Sequence, residues 1–181
     1  MPPNAKLAFK GKIFEVWQWE QELFDGSTAT FERLKRPDTA TVIPVVGDKI
    51  LLLDEQQPGT DVFLSFPGGR CDEGEDPLVA GKRELMEETG YESAEWELWS
   101  DAQPSGKIEW TMYTYIARDC TKTGELALDP GERVTPRFLS FDELLELPDK
   151  PDFRQWFMVP ALLRARYEPE AREKLRQQLF G

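Results

Sequence analysis

Gly68-Gly69-Arg70-Cys71-Asp72-Glu73-Gly74-Glu75-Asp76-Pro77-Leu78-Val79-Ala80-Gly81-Lys82-Arg83-Glu84-Leu85-Met86-Glu87-Glu88-Thr89-Gly90-Tyr91 is the stretch on which the reading of this chain turns. A short strand, Val62 to Phe66, feeds Pro67-Gly68-Gly69, which reads as a loop. Asp76-Pro77 starts a helix: a short acceptor side chain caps it, and a proline follows where its missing N–H costs nothing. Gly90 supplies the stop. Between Asp72 and Glu88 seven of 17 residues are acidic. On a helical wheel Glu84, Glu87 and Glu88 share one arc, being spaced i, i+3 and i+4. Leu78, Gly81 and Leu85 form a separate stripe for packing on a sheet, with Gly81 expected to permit close approach.

Three carboxylates on one face repel one another. They also lie toward the C-terminal end of the helix, where the macrodipole disfavours anions. Arg83 and Lys82 neutralise part of that charge, and Arg83 to Glu87 is an i, i+4 pair. A hard divalent cation held by oxygen ligands would neutralise the rest. A solvated acidic helix face is the other reading of the trio taken alone.

Working outward, the chain has 181 residues, 22 Lys+Arg against 34 Asp+Glu, and a net charge of −12. That length predicts one domain, or one with an appendage. So acidic a chain is a poor binder of duplex nucleic acid or anionic membranes, and handling phosphates would require a local device such as bound cations. Histidine is absent. This excludes Ser-His-Asp and Cys-His catalytic units and imidazole zinc sites. Cys71 and Cys120 are isolated and form no CxxC pair, which fits a reducing compartment. No secretory leader and no membrane-length apolar run is visible, so the expected location is cytoplasmic.

Residues 12–35 read as two strands around the turn Asp25-Gly26, and residues 1–38 as an N-terminal antiparallel extension of the unit spanning 39–181. Ala40 to Val46 and Lys49 to Asp54 form a hairpin around Gly47-Asp48. Pro44 suggests an edge strand or a bulge. Trp96 to Trp99 and Ile108 to Ala117 read as strands, and residues 118–136 as loop with a turn at Asp129-Pro130-Gly131. Arg137 to Leu139 is a short strand, and Ser140 to Glu143 opens a helix with a capping box. Residues 153–166 and 168–179 read as helices. The order predicts a mixed α+β fold, or an α/β/α sandwich.

The quoted stretch resembles the Nudix box, G-x5-E-x7-R-E-U-x-E-E-x-G-U, where U is bulky and aliphatic. Gly69, Glu75, Arg83-Glu84-Leu85, Glu87-Glu88 and Gly90 fill its positions, and Tyr91 stands at the last aliphatic one. The resemblance implies a Nudix α/β/α sandwich with a mixed sheet. It implies an enzyme that hydrolyses a nucleoside diphosphate linked to another moiety, with Mg²⁺ or Mn²⁺ as cofactor. By the same resemblance Glu84, Glu87 and Glu88 are metal ligands, helped by the Gly69 carbonyl. Arg83 holds the glutamates, and Glu75 steadies the junction of loop and helix. The general base is either a box glutamate, Glu87 or Glu88, or the later acid Glu132.

The flanks resemble the ADP-ribose and nucleotide-sugar branch through Phe31-Glu32-Arg33, Gly131-Glu132 and Ser140 to Glu143. Candidate substrate contacts are Trp17, Trp19, Phe31, Arg33, Arg36 and Arg70, although aromatics of this kind are more often strand packing or a dimer seam. The branch implies a homodimer using the N-terminal strands. The alternatives are a hydrolase of dinucleoside polyphosphates or oxidised nucleoside triphosphates, and a sensor that binds without cleaving. A sensor is expected to lose box carboxylates, and none is missing here.

Overall fold

The structure is a computed structural model and describes residues 1–128 and 130–181, so Asp129 of the expected Asp129-Pro130-Gly131 turn lies outside the described residues. The strands are Lys6–Lys10 (β1), Glu15–Glu22 (β2), Thr28–Lys35 (β3), Thr39–Val46 (β4), Lys49–Gln56 (β5), Phe63–Ser65 (β6) and Gly68–Arg70 (β7). Helix Pro77–Thr89 (α1) follows. Then come Tyr91–Glu92 (β8), Glu95–Ala102 (β9), Ile108–Glu109 (β10), Met112–Arg118 (β11), Thr121–Lys122 (β12) and Arg133–Leu139 (β13). Helices Phe141–Glu146 (α2), Val159–Tyr167 (α3) and Pro169–Phe180 (α4) close the chain, with 3₁₀ turns at Leu147–Asp149 and Trp156–Met158.

The central sheet runs β13-β5-β4-β11-β9, with β6 on β5 and β7 on β4. Strands β4 and β11 are parallel and their other neighbours antiparallel, so the sheet is mixed. Alternation sends successive side chains of a strand to opposite faces. Ala40 and Val42 of β4, with Tyr115 and Ala117 of β11, meet α1. Ile43, Val45 and Ile116 face the other way and join the main core with Leu144, Leu162, Leu175 and Leu179 of α2 to α4. The expected α/β/α sandwich is the fold. Leu85 is fully buried in the sheet-facing stripe of α1.

The N-terminal strands form a second sheet, β1-β2-β3-β10. Sequence reading found β2 and β3 but not β1, which is exposed at every residue and so carries no burial pattern. Several expectations are corrected: β12 lies within the expected loop 118–136, β13 begins at Arg133 rather than Arg137, and α3 begins only at Val159. Gly68 and Gly69 lie in a strand, because β7 pairs with Thr39 to Thr41. The run Ile108 to Ala117 is two strands in two sheets: β10 pairs with β3 and β11 with β4, the chain crossing over at Trp110-Thr111. Pro44 sits in a central strand rather than at an edge. It falls where one side of β4 changes neighbours: Val42 donates its N–H to the Pro67 carbonyl at 2.8 Å, whereas Val45 pairs with Ile50 of β5. A missing N–H is harmless at that gap.

Candidate active site

Asp76 accepts the Leu78 N–H at 2.8 Å and caps α1, and Gly90 ends it in the left-handed conformation (φ 72°), donating its N–H to the Met86 carbonyl. The helix is thereby fixed in phase against the sheet, with its acidic face beside β7. Gly68 has φ 154°, and a Cβ there would lie 2.2 Å from the Ala40 carbonyl oxygen. At Gly69 a Cβ would lie 2.3 Å from Glu84 Oε1. The two glycines thus let bare backbone pass directly beneath the helix carboxylates.

Arg83 is the hub of the cluster. Its Nε and Nη2 donate to the two oxygens of Glu75, each at 3.1 Å, and Nη2 also donates to the Arg70 carbonyl at 3.1 Å. Its Nη1 reaches Glu84 Oε1 at 2.8 Å and Glu87 Oε2 at 3.1 Å. The planar five-donor fork of guanidinium is what makes such simultaneous bonding possible. The Arg83 bonds hold Glu75 below the usual carboxylate range. In return Glu75, followed by Glu84 and Glu87, holds the Arg83 proton more tightly than in free arginine, against the opposing cost of burial.

Burial separates the trio. Glu87 is the most open, with its side chain 41% exposed, whereas Glu84 is largely buried and Glu88 fully so. Burial raises Glu84 above the ordinary carboxylate range, Arg83 opposing. Burial also pushes Glu88 up to about 9, opposed by the Gly68 N–H that donates to its Oε2 at 2.8 Å, and reinforced by the charges of Glu84, Glu55 and Glu132. The structure therefore gathers Glu132, from the end of the loop before β13, within electrostatic reach of both Glu84 and Glu88.

Glu55 of β5 is a member of this cluster that the sequence reading missed. It is nearly buried, accepting from the Ser65 hydroxyl at 2.6 Å and from the Gln57 amide at 2.9 Å. The signal that could have found it is strand alternation: Glu55 falls on the same face as Leu51 and Leu53, a buried position taken by an acid.

Among the described residues no three acids or thiols converge into a ready-made cage. Arg83 holds Glu84 and Glu87, and Glu88 turns to Gly68. The donor set nonetheless fits a hard divalent cation: every side-chain donor is a carboxylate oxygen, and Glu84 and Glu88 are buried where charge is costly without a counter-ion.

The six substrate-contact candidates fall in two places. Arg36 lies over the ring of Trp110 at 4.2 Å, lining a cavity of about 720 Å³ that also takes in the loop Cys71 to Glu75. Arg70 is close enough to lower the Arg36 pKa, after burial as the main cause. Trp17, Trp19, Phe31 and Arg33 lie on β2 and β3. Trp17 donates its Nε1–H to Glu15, while Trp19 meets Phe31 at 6.2 Å between centroids and lies under Arg33 at 5.9 Å. Phe31 and Arg33 line a separate groove of about 600 Å³ with Lys107.

The chain matches the family model for the NUDIX domain over residues 35–162. It belongs to the Nudix family. It is 32% identical over 147 residues to the methanol dehydrogenase activator of Bacillus methanolicus, covering 79% of this chain and 80% of that one. It is 32% identical over 85 residues to the ADP-ribose pyrophosphatase of Bacillus subtilis (strain 168), covering 46% of each. A crystal structure of an ADP compounds hydrolase superposes with a TM-score of 0.76 at 22% identity, covering 99% of this chain and 95% of that one, a likeness of fold. This Nudix protein is a hydrolase acting on pyrophosphate bonds and is related to ADP-ribose pyrophosphatases. Nudix hydrolases generally use divalent metals and act on small nucleoside diphosphate derivatives. Among the described residues, no helix is long and apolar enough to cross a membrane.

Proposed function

We propose that this Nudix hydrolase cleaves the diphosphate of ADP-ribose or a nucleotide sugar, giving a nucleoside monophosphate and a sugar phosphate. The observation that carries the proposal is the buried Glu84 and Glu88 pair, set against the bare backbone of Gly68 and Gly69 and joined by Glu132. Glu84, Glu87 and Glu88, with the Gly69 carbonyl, would hold Mg²⁺ or Mn²⁺. When bound, the cation neutralises the pyrophosphate oxygens and lowers the pKa of the attacking water. Arg83 keeps Glu84 and Glu87 in position while Glu75 anchors Arg83. Glu132 or one of the box glutamates Glu87 and Glu88 takes the proton from water, a carboxylate role that needs no histidine. Arg36, stacked on Trp110 and lining the cavity with the box loop, and Arg70 would meet the substrate's phosphates or sugar.

The chain works in this reading as a homodimer in the cytoplasm. Residues 1–38 form the extension that contacts the second subunit, and the free, buried Cys71 and Cys120 suit a reducing compartment. The test is a phosphate-release panel over ADP-ribose, nucleotide sugars, dinucleoside polyphosphates and nucleoside triphosphates. The expected result is fastest turnover of ADP-ribose or a nucleotide sugar. A preference for triphosphates or dinucleoside polyphosphates would replace the substrate assignment. Tight binding of ADP-ribose with no turnover of any member would replace it with a sensor.

A further inference from the structure

We infer that Gln155 is a positioning residue for the catalytic centre and acts through the backbone of Phe66 to Gly69; this rests on the reading of Glu84 and Glu88 as that centre. Strand β6 is bonded on one edge by β5, through Leu53, Asp54 and Glu55. Its other edge is met by residues 152–154. Leu64 donates its N–H to the Asp152 carbonyl at 3.0 Å, and Arg154 donates its N–H to the Leu64 carbonyl at 2.9 Å. The next backbone groups pointing to that edge, two residues along, belong to Phe66. There the main chain stops pairing and a side chain replaces it. The Gln155 Oε1 accepts the Phe66 N–H at 3.1 Å, and its Nε2 donates to the Phe66 carbonyl at 3.4 Å. A primary amide carries the same donor and acceptor as a peptide group. Gln155 thus adds one rung to the ladder from 89 residues away.

That rung is the last hold from this side before the working backbone. The Pro67 carbonyl accepts from the Val42 N–H at 2.8 Å, the Gly68 N–H donates to Glu88 at 2.8 Å, and Gly69 lies against Glu84. Neither glycine has a side chain to anchor it, so their position is inherited from Phe66 and β4. Phe66 is almost wholly buried, so a backbone group freed there finds little water. Loss of the Gln155 amide therefore shifts the Gly68 N–H relative to Glu88 and the Gly69 carbonyl relative to Glu84. Gln155 itself bonds to Phe66 and to no carboxylate among the described residues. The consequence is a defect in kcat rather than in substrate affinity.

The experiment measures kcat and KM for Gln155→Ala, Gln155→Glu and, for reference, Glu88→Gln, on the best substrate of the panel at saturating Mg²⁺. For Gln155→Ala the expected loss in kcat is about 10- to 100-fold, the scale on which supporting partners of a metal centre act, with KM moving by no more than about twofold. Gln155→Glu keeps the acceptor for the Phe66 N–H but not the donor, and falls between Ala and wild type. Hydrogen exchange should quicken in residues 63–69 of Gln155→Ala and stay unchanged in the rest of β4 and β5. A folded Gln155→Ala with wild-type kcat would overturn the inference. If Gln155→Ala does not fold, a folded Gln155→Glu with wild-type kcat does so by itself. Wild-type turnover in Glu88→Gln would instead overturn the catalytic centre, whereas a dead Glu88→Gln beside fully active Gln155 variants rejects only the role of Gln155.

Discussion

From Gly68 to Gly90 the chain carries most of its own restraints. Asp76 caps the helix, Gly90 ends it, and Arg83 is tied to Glu75, Glu84, Glu87 and the Arg70 carbonyl, all within the same stretch. The ribbon β1 to β3 is the opposite case. Leu7 and Phe9 of β1 are 45% and 62% exposed, Phe24 at the hairpin tip is fully open, and the buried Arg33 Nε lacks a hydrogen-bond partner among the described residues. The box unit is specified locally and rests on a closed core, whereas the ribbon leaves an edge strand and apolar side chains exposed. Its outer strand β1 is an exposed edge, which invites pairing. One region therefore concentrates charge, and the other concentrates exposed apolar surface.

The sharpest break in that comparison is predicted for the box. Glu88→Gln should lower kcat by about a hundredfold or more, the scale on which removal of one transition-state group acts. Metal-free melting should hold or rise, because Gln keeps the shape and the acceptor for the Gly68 N–H and removes the cost of ionising a buried group beside Glu84, Glu55 and Glu132. Paired turnover and melting curves check this. Loss of the fold without a specific loss of turnover would make the carboxylates structural. For the ribbon, light scattering should find a dimer for the full chain and half that mass for a form lacking residues 1–36. A monomeric full chain, or a truncated form that stays dimeric and active, would remove the ribbon from the interface.

The smallest expected effect lies inside the box. A Cβ at Gly81 would meet Val42 Cγ2 at 3.4 Å and Tyr115 at 3.6 Å, ordinary contact distances. Gly81→Ala should therefore fit, and gain up to about 1 kcal/mol from helix propensity. The close approach expected at Gly81 is thus milder than at Gly68 or Gly69. A drop in melting temperature for Gly81→Ala would show the layers packed more tightly than these distances.

Legibility followed sequence distance. The helix, its caps and its three glutamates were read to the residue, because Asp76, Pro77 and Gly90 state the boundaries in adjacent positions. The capping box of α2 was legible for the same reason. What failed was pairing. Nothing near Pro44 announces that β4 exchanges β7 for β5 at that point, and the apolar alternation from Ile108 runs on through Trp110 although the chain changes sheets there. Glu55 and Gln155 escaped because each gains its meaning from a partner far along the chain, Glu88 for the first and Phe66 for the second. The substrate candidates were chosen by residue type alone, and the fold divides them between two surfaces.

In this reading the carboxylates on α1 form a divalent-cation centre for pyrophosphate hydrolysis. Turnover of ADP-ribose or the best nucleotide sugar, followed in excess EDTA and then through titration with Mg²⁺ or Mn²⁺, tests it most directly. Turnover is expected to vanish in chelator and to recover fully on titration, with Glu88→Gln recovering to about a hundredth of wild type or less at the same metal concentrations. Undiminished turnover in excess EDTA would contradict it.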